Sequence, residues 1–100
     1  MLRHILAATL IVAALPASSE TEKQVSCGYQ ADVVDAIQKA RLDKVKERGV
    51  EKVILDTDPQ WPAKFNKTIP LIAPWVYELP IKQVRENDLG DIWNESCLAK

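Results

Sequence analysis

Histidine occurs once in this 100-residue sequence, at His4, and glycine three times, never clustered. His4 lies in a stretch that reads as a removable leader, so the mature chain carries no imidazole. The commonest general base and the commonest metal ligand are thereby missing, and neither a Ser-His-Asp nor a Cys-His arrangement can be assembled. The isolated glycines exclude a phosphate-cradling loop. No run of like charge exceeds two residues, which leaves nothing to track a nucleic-acid backbone. No Cys-x-x-Cys spacing is present, so a redox-active thiol pair is not expected. From these absences no catalytic residue, no metal ligand and no cofactor is expected.

The first residues have the three-part form of a secretory signal. Met1-Leu2-Arg3-His4 is a short basic start. Ile5 to Leu15 carries no charge, and Pro16-Ala17-Ser18-Ser19 supplies small residues before Glu20. The apolar run falls short of the ~20 residues that cross a hydrocarbon core. A retained anchor or an ordinary N-terminal helix is the competing reading of the same stretch. Cleavage after Ala17 or after Ser19 both fit, and the expected organisation is a signal peptide over residues 1–19 and a single helical domain over 20–100. Cys27 lies too far from the apolar run for a lipid-anchored cysteine. Loss of Arg3 leaves 12 basic against 14 acidic side chains, a formal charge of −2, neither a basic binder nor a polyacid. The expected location is the periplasm or the medium, with no stable membrane insertion after cleavage and no nucleic-acid partner.

Two cysteines remain, Cys27 and Cys97. In an oxidising compartment an even pair reads as a disulfide, and two cysteines allow one intramolecular connectivity. The bond would close nearly the whole domain, worth roughly 4 kcal/mol in the chain-entropy account. A domain this small sits near the limit of independent stability, so the bond decides whether it stays folded.

Ser18 to Ser26 reads as a loose polar lead-in. Tyr29, Val33, Ala36, Ile37 and Ala40 then fall on one helical face, with Asp32, Asp35, Lys39, Asp43 and Lys46 opposite. This predicts a helix from Tyr29 to about Arg48, ended by Gly49 as a C-cap. Val50 to Leu55 is a short helix or strand, and helix is preferred for want of a partner strand. Asp56-Thr57-Asp58-Pro59 is a turn and cap signal. Phe65, Ile69, Ile72, Val76 and Leu79 form an apolar helical stripe, interrupted on its far side by Pro70 and Pro74. Either one bent helix or a break near Ile69, with Pro70 opening a second helix, fits; the break is preferred. Ile81, Val84, Leu89, Ile92 and Trp93 predict a last helix from Pro80 to Leu98, with Glu86-Asn87-Asp88 as an alternative turn. The fold class is all-α: a small antiparallel or orthogonal helical bundle of roughly three to five helices stapled by one disulfide.

Asp88, Asp91 and Glu95 fall along one helical side and read as a solvated face, without the spacing of a calcium loop. Asp56 and Asp58 read as turn and capping residues and not as a carboxylate pair for hydrolysis. Trp61, Phe65, Trp75 and Tyr77 concentrate the aromatics in one stretch. Trp75 and Tyr77 lie off the apolar stripe, and exposed aromatics mark contact surfaces, so these two are the candidate partner-binding residues. Arg41 is at the edge of the first apolar face, where arginines snorkel or pair with an acid.

The frame Cys27…Val33-Val34-Asp35-Ala36-Ile37-Gln38-Lys39-Ala40-Arg41, then Pro74-Trp75-Val76-Tyr77-Glu78-Leu79-Pro80, then Glu95-Ser96-Cys97-Leu98, resembles small exported two-cysteine helical proteins of Gram-negative, alphaproteobacterial type. The resemblance covers most of the mature chain, its motifs are structural, and it implies no assigned activity. The layout of leader, small helical domain and single disulfide is more remotely similar to the periplasmic acid-stress chaperones of enteric bacteria. That likeness is architectural, the cysteines here lie farther apart, and it carries over no functional residue.

The expected role is a non-enzymatic periplasmic or secreted binding protein with a protein partner in the cell envelope. An acid-activated chaperone is the alternative: protonation of the carboxylates would leave a positive chain that loosens by self-repulsion. A small hydrolase-like enzyme ranks last.

Overall fold

The computed structural model describes residues 20–100. The expected leader, its cleavage point and His4 lie outside the described residues. Five helices follow one another: α1 (Glu22–Leu42), α2 (Glu47–Asp56), α3 (Thr68–Glu78), α4 (Ile81–Glu86) and α5 (Leu89–Leu98), with a 3₁₀ turn at Ala63–Phe65 before α3. Among the described residues there is no strand. The fold is the expected small all-α bundle, and Cys27 and Cys97 are bonded, with Cα atoms 5.7 Å apart across 70 residues of sequence.

Helix α1 begins earlier than its apolar pattern. Thr21 and Gln24 form a reciprocal cap: the Thr21 hydroxyl accepts from the Gln24 N–H at 3.1 Å, and the Gln24 side chain accepts from the Thr21 N–H at 2.8 Å. Two otherwise orphaned donors are satisfied. The polar segment expected as a lead-in is therefore mostly helix, polar because its first turns are exposed. The end of α1 also differs from expectation. Lys44 takes a left-handed conformation, φ 66°. Its N–H donates to the Arg41 carbonyl, and the Val45 N–H donates to the Ala40 carbonyl. That is the two-bond closure of a Schellman turn, made with lysine in the place usually held by glycine. Gly49 is not a cap; it lies in the first turn of α2.

α1 is the central element, packing most extensively against α5 and then against α3 and α2. This explains why its buried surface is wider than one stripe. Val33, Ile37 and Ala40 are buried as expected, and Val34 and Cys27 are buried as well. α5 crosses the side expected to be solvated, beside Asp35. The core continues through Val50 and Ile54 of α2, then Trp61 and Phe65, Ile69, Ile72, Ala73 and Val76 of α3, Val84 of α4 and Leu89 of α5.

The expected break falls between Phe65 and Thr68, before Pro70 and not at it. Pro70 sits in the first turn of α3, where an N–H has no intrahelical acceptor in any case. Pro74 lies inside the helix and forfeits one bond, to the Pro70 carbonyl; both prolines are exposed. The predicted last helix is two. Asn87 is extended, and Asp88 caps α5 by accepting from the Asp91 N–H at 3.1 Å. Gln38 of α1 fixes this corner. Its amide donates to the carbonyls of Val84 and Asn87 at 2.6 and 2.7 Å, and its oxygen accepts from the Leu89 N–H at 3.2 Å.

Candidate interaction surface

Helix α3 has no charged residue from Thr68 to Tyr77, ten positions in a chain that is 27% charged. Its inner face, Ile69, Ile72, Ala73 and Val76, is buried. At 100° per residue the opposite face carries Lys67, Leu71, Pro74 and Glu78, with Pro70 and Trp75 on its flanks. Lys67 has helical dihedrals and continues the register one residue before α3. Leu71 is 76% exposed, the most exposed large apolar side chain among the described residues. Single exposed leucines are ordinary on protein surfaces, but this one lies between two prolines that present no N–H and only ring carbons to solvent.

The two residues expected to form a contact surface flank this face from opposite sides, as an i, i+2 pair must. Trp75 leans toward α5, where its ring meets that of Trp93 at a centroid distance of 5.7 Å, tilted by 50°. Trp93 in turn donates its indole N–H to the Gln30 side chain at 3.0 Å, beside the disulfide. Tyr77 leans toward the α1–α2 connection. Its hydroxyl donates to the Val45 carbonyl at 2.6 Å, and the Arg41 guanidinium lies 5.8 Å from its ring centre. Burial raises the Tyr77 hydroxyl above its ordinary value of 10.0, with the Arg41 charge acting in the other direction. Among the described residues Arg41 pairs with no acid. It donates to the carbonyls of Val76 and Leu79, satisfying the end of α3, which Pro80 prevents from continuing. Both aromatics are half-buried and pack against the core, so most of the apolar surface left open between them belongs to Leu71 and Pro74.

The remaining candidates are placed as follows. Asp88 and Asp91 gather at the start of α5 opposite Asp35. Burial raises the Asp35 carboxyl above 3.8, reinforced by the charges of Asp88, Asp32 and Asp91 and partly offset by the Gly90 N–H. Asp91 is raised chiefly by Asp88. Among the described residues no group of three or more acids, cysteines or histidines has metal-binding geometry. Asp56 closes α2 and pairs with Lys52 at 2.9 Å, while Asp58 takes a left-handed turn conformation, φ 56°. A cleft of about 580 Å³ lies between the start of α1 and the 3₁₀ turn, lined among others by Glu22, Tyr29, Lys64 and Phe65. Among the described residues no helix is long and apolar enough to cross a membrane.

No family model, no curated protein and no solved structure matches this chain.

Proposed function

We propose that this chain is a non-enzymatic interaction module, exported to the periplasm or beyond, which contacts a protein of the cell envelope through the outer face of α3. Leu71 carries this reading. It stands 76% exposed in the middle of an uncharged ten-residue helical segment, on a helix whose opposite face is buried in the core. The side chains around it are held in place: Trp75 against Trp93, and Tyr77 by the Val45 carbonyl. A rigid rim around an apolar centre loses little side-chain freedom when it is covered. The Cys27–Cys97 bond supports export, since such bonds persist in oxidising compartments. The 20–100 segment has no imidazole, which supports a binding role over acid–base catalysis.

The test is site-specific photo-crosslinking in the periplasm of a bacterium producing the full chain. A photoreactive residue at position 71 is expected to give one discrete adduct, with none from the same residue at the exposed Lys52 of α2. Adducts of equal yield from both positions, or none from either, would reject the reading.

A further inference from the structure

The outer face of α3 has a symmetry that bears on what covers it. Lys67 and Glu78 stand at its two ends, on the same side of the helix and of opposite charge. Lys67 and Glu78 stand equally far from the midpoint between Ile72 and Ala73. A twofold axis level with that midpoint, perpendicular to the helix and running across the outer face between the copies, lays a second α3 antiparallel on the first. Each Lys67 then falls over Glu78 of the second copy. The rotation keeps each side of the face on its own side, so each Leu71 falls beside a Trp75 of the second copy and each Pro70 beside a Pro74.

We propose that the outer face of α3 is a homodimer interface in which two copies of this chain pair antiparallel. The proposal rests on the outer face of α3 being the contact surface, and it names the occupant. Within one copy Lys67 and Glu78 lie roughly 16 Å apart along the axis, about twice the Debye length at physiological salt, so their charges do little for each other. Among the described residues the ion pairs are Lys39–Asp43 and Lys52–Asp56, each one turn apart on a single helix, and neither Lys67 nor Glu78 takes part. Across the twofold axis two Lys67–Glu78 pairs form at the rim of an uncharged centre, the arrangement that fixes register while the apolar middle supplies affinity. An isologous contact repeats every interaction twice. The surface of one short helix is small beside a standard interface, so a weak, concentration-dependent dimer is expected.

Sedimentation equilibrium on the chain exported with its own leader and purified oxidised tests this. The wild type is expected to dimerise reversibly. Leu71→Asp is expected to weaken the dimer about 100-fold, a tenfold loss counted once from each copy. Circular dichroism should show the same helix content and melting for that variant, because the side chain is exposed. Lys67→Glu and Glu78→Lys should each weaken self-association, and an equimolar mixture of the two should recover it as a heterodimer, since each then meets the opposite charge at both rims. A wild type that stays monomeric at millimolar concentration overturns the proposal, as does a dimer indifferent to these three substitutions. If the monomeric chain still gives a discrete adduct from position 71 with another protein, the homodimer falls and the interaction module stands. If it gives none, both fall.

Discussion

The carboxylate of Asp35 on α1 occupies the space in which a side chain at position 90 of α5 would lie: a Cβ built on Gly90 would stand 2.1 Å from one of its oxygens. Gly90 is thus a point of close approach in the most extensive helix pairing of the molecule, not a weak spot in a helix.

Helix propensity alone favours Gly90→Ala by about 1 kcal/mol. The contact with Asp35 works against that gain, since the carboxylate must swing away and give up the Gly90 N–H, so Gly90→Ala is expected to fall short of it. Chemical denaturation of Gly90→Ala, Asp35→Ala and the double variant measures the coupling. The expected result is a double variant more stable than the sum of the single effects; simple additivity would show that the two positions do not touch.

The same carboxylate sets a pH dependence. Asp35 and Asp91 are both held above 3.8 in the fold, so the folded chain binds more protons than the unfolded chain in the range just above that value. Their contribution to stability is full below pH 3.8 and is lost as pH rises through the raised folded values. Asp35→Asn is expected to raise the melting temperature at pH 7, to leave it nearly unchanged at pH 3, and to flatten the curve between. At this seam acidification tightens the packing of α1 on α5, the reverse of what an acid-loosened chaperone needs. A wild-type melting temperature that falls steeply from pH 5 to pH 4 would contradict the assignment.

Lys44 and Gly49 predict a pair of stabilising substitutions. Lys44→Gly relieves the left-handed strain at the end of α1 and is expected to add about 0.5–1 kcal/mol, net of the freedom glycine gives the unfolded chain. Gly49→Ala, at a helical position with open space around its Cβ, is expected to add a similar amount, about 0.5–1 kcal/mol. Were Gly49 the cap of α1, its replacement by alanine would destabilise; thermal melts of the two variants separate the cases.

Cys97→Ser is expected to cost about 4 kcal/mol, the loop-closure figure for a ring of this size. Adding reductant to the wild type should bring its melting temperature down to that of the variant. Equal melting of oxidised wild type and Cys97→Ser would mean that the bundle holds its ends together without the bond.

Local and covalent features were legible in the sequence, while features set by packing were not. The Cys27–Cys97 pairing follows from counting cysteines, and the stripe from Phe65 to Leu79 follows from spacing. The end of α1 was hidden because a Schellman turn with lysine leaves no compositional mark, whereas Gly49 advertises a cap it does not make. Asp35 sits among the residues of a solvated face by periodicity, and only the path of α5 brings Gly90 onto it. Trp75 and Tyr77 were legible as residues off the stripe, but that the space between them belongs to Leu71 depends on which neighbours cover each flank. The uncharged run from Thr68 to Tyr77 is the signal that points to it.

The bond between Cys27 and Cys97, near the two ends of the domain and with Cα atoms 5.7 Å apart, has a mechanical consequence. A pull applied at Glu20 and at Lys100 passes from one to the other through a single pair of sulfurs. The helices from the second turn of α1 onward lie in a closed ring that carries no tension. Placed in series between two tethered structures, the domain is an inextensible link while oxidised, and it becomes an unravelling spring once the sulfurs are reduced.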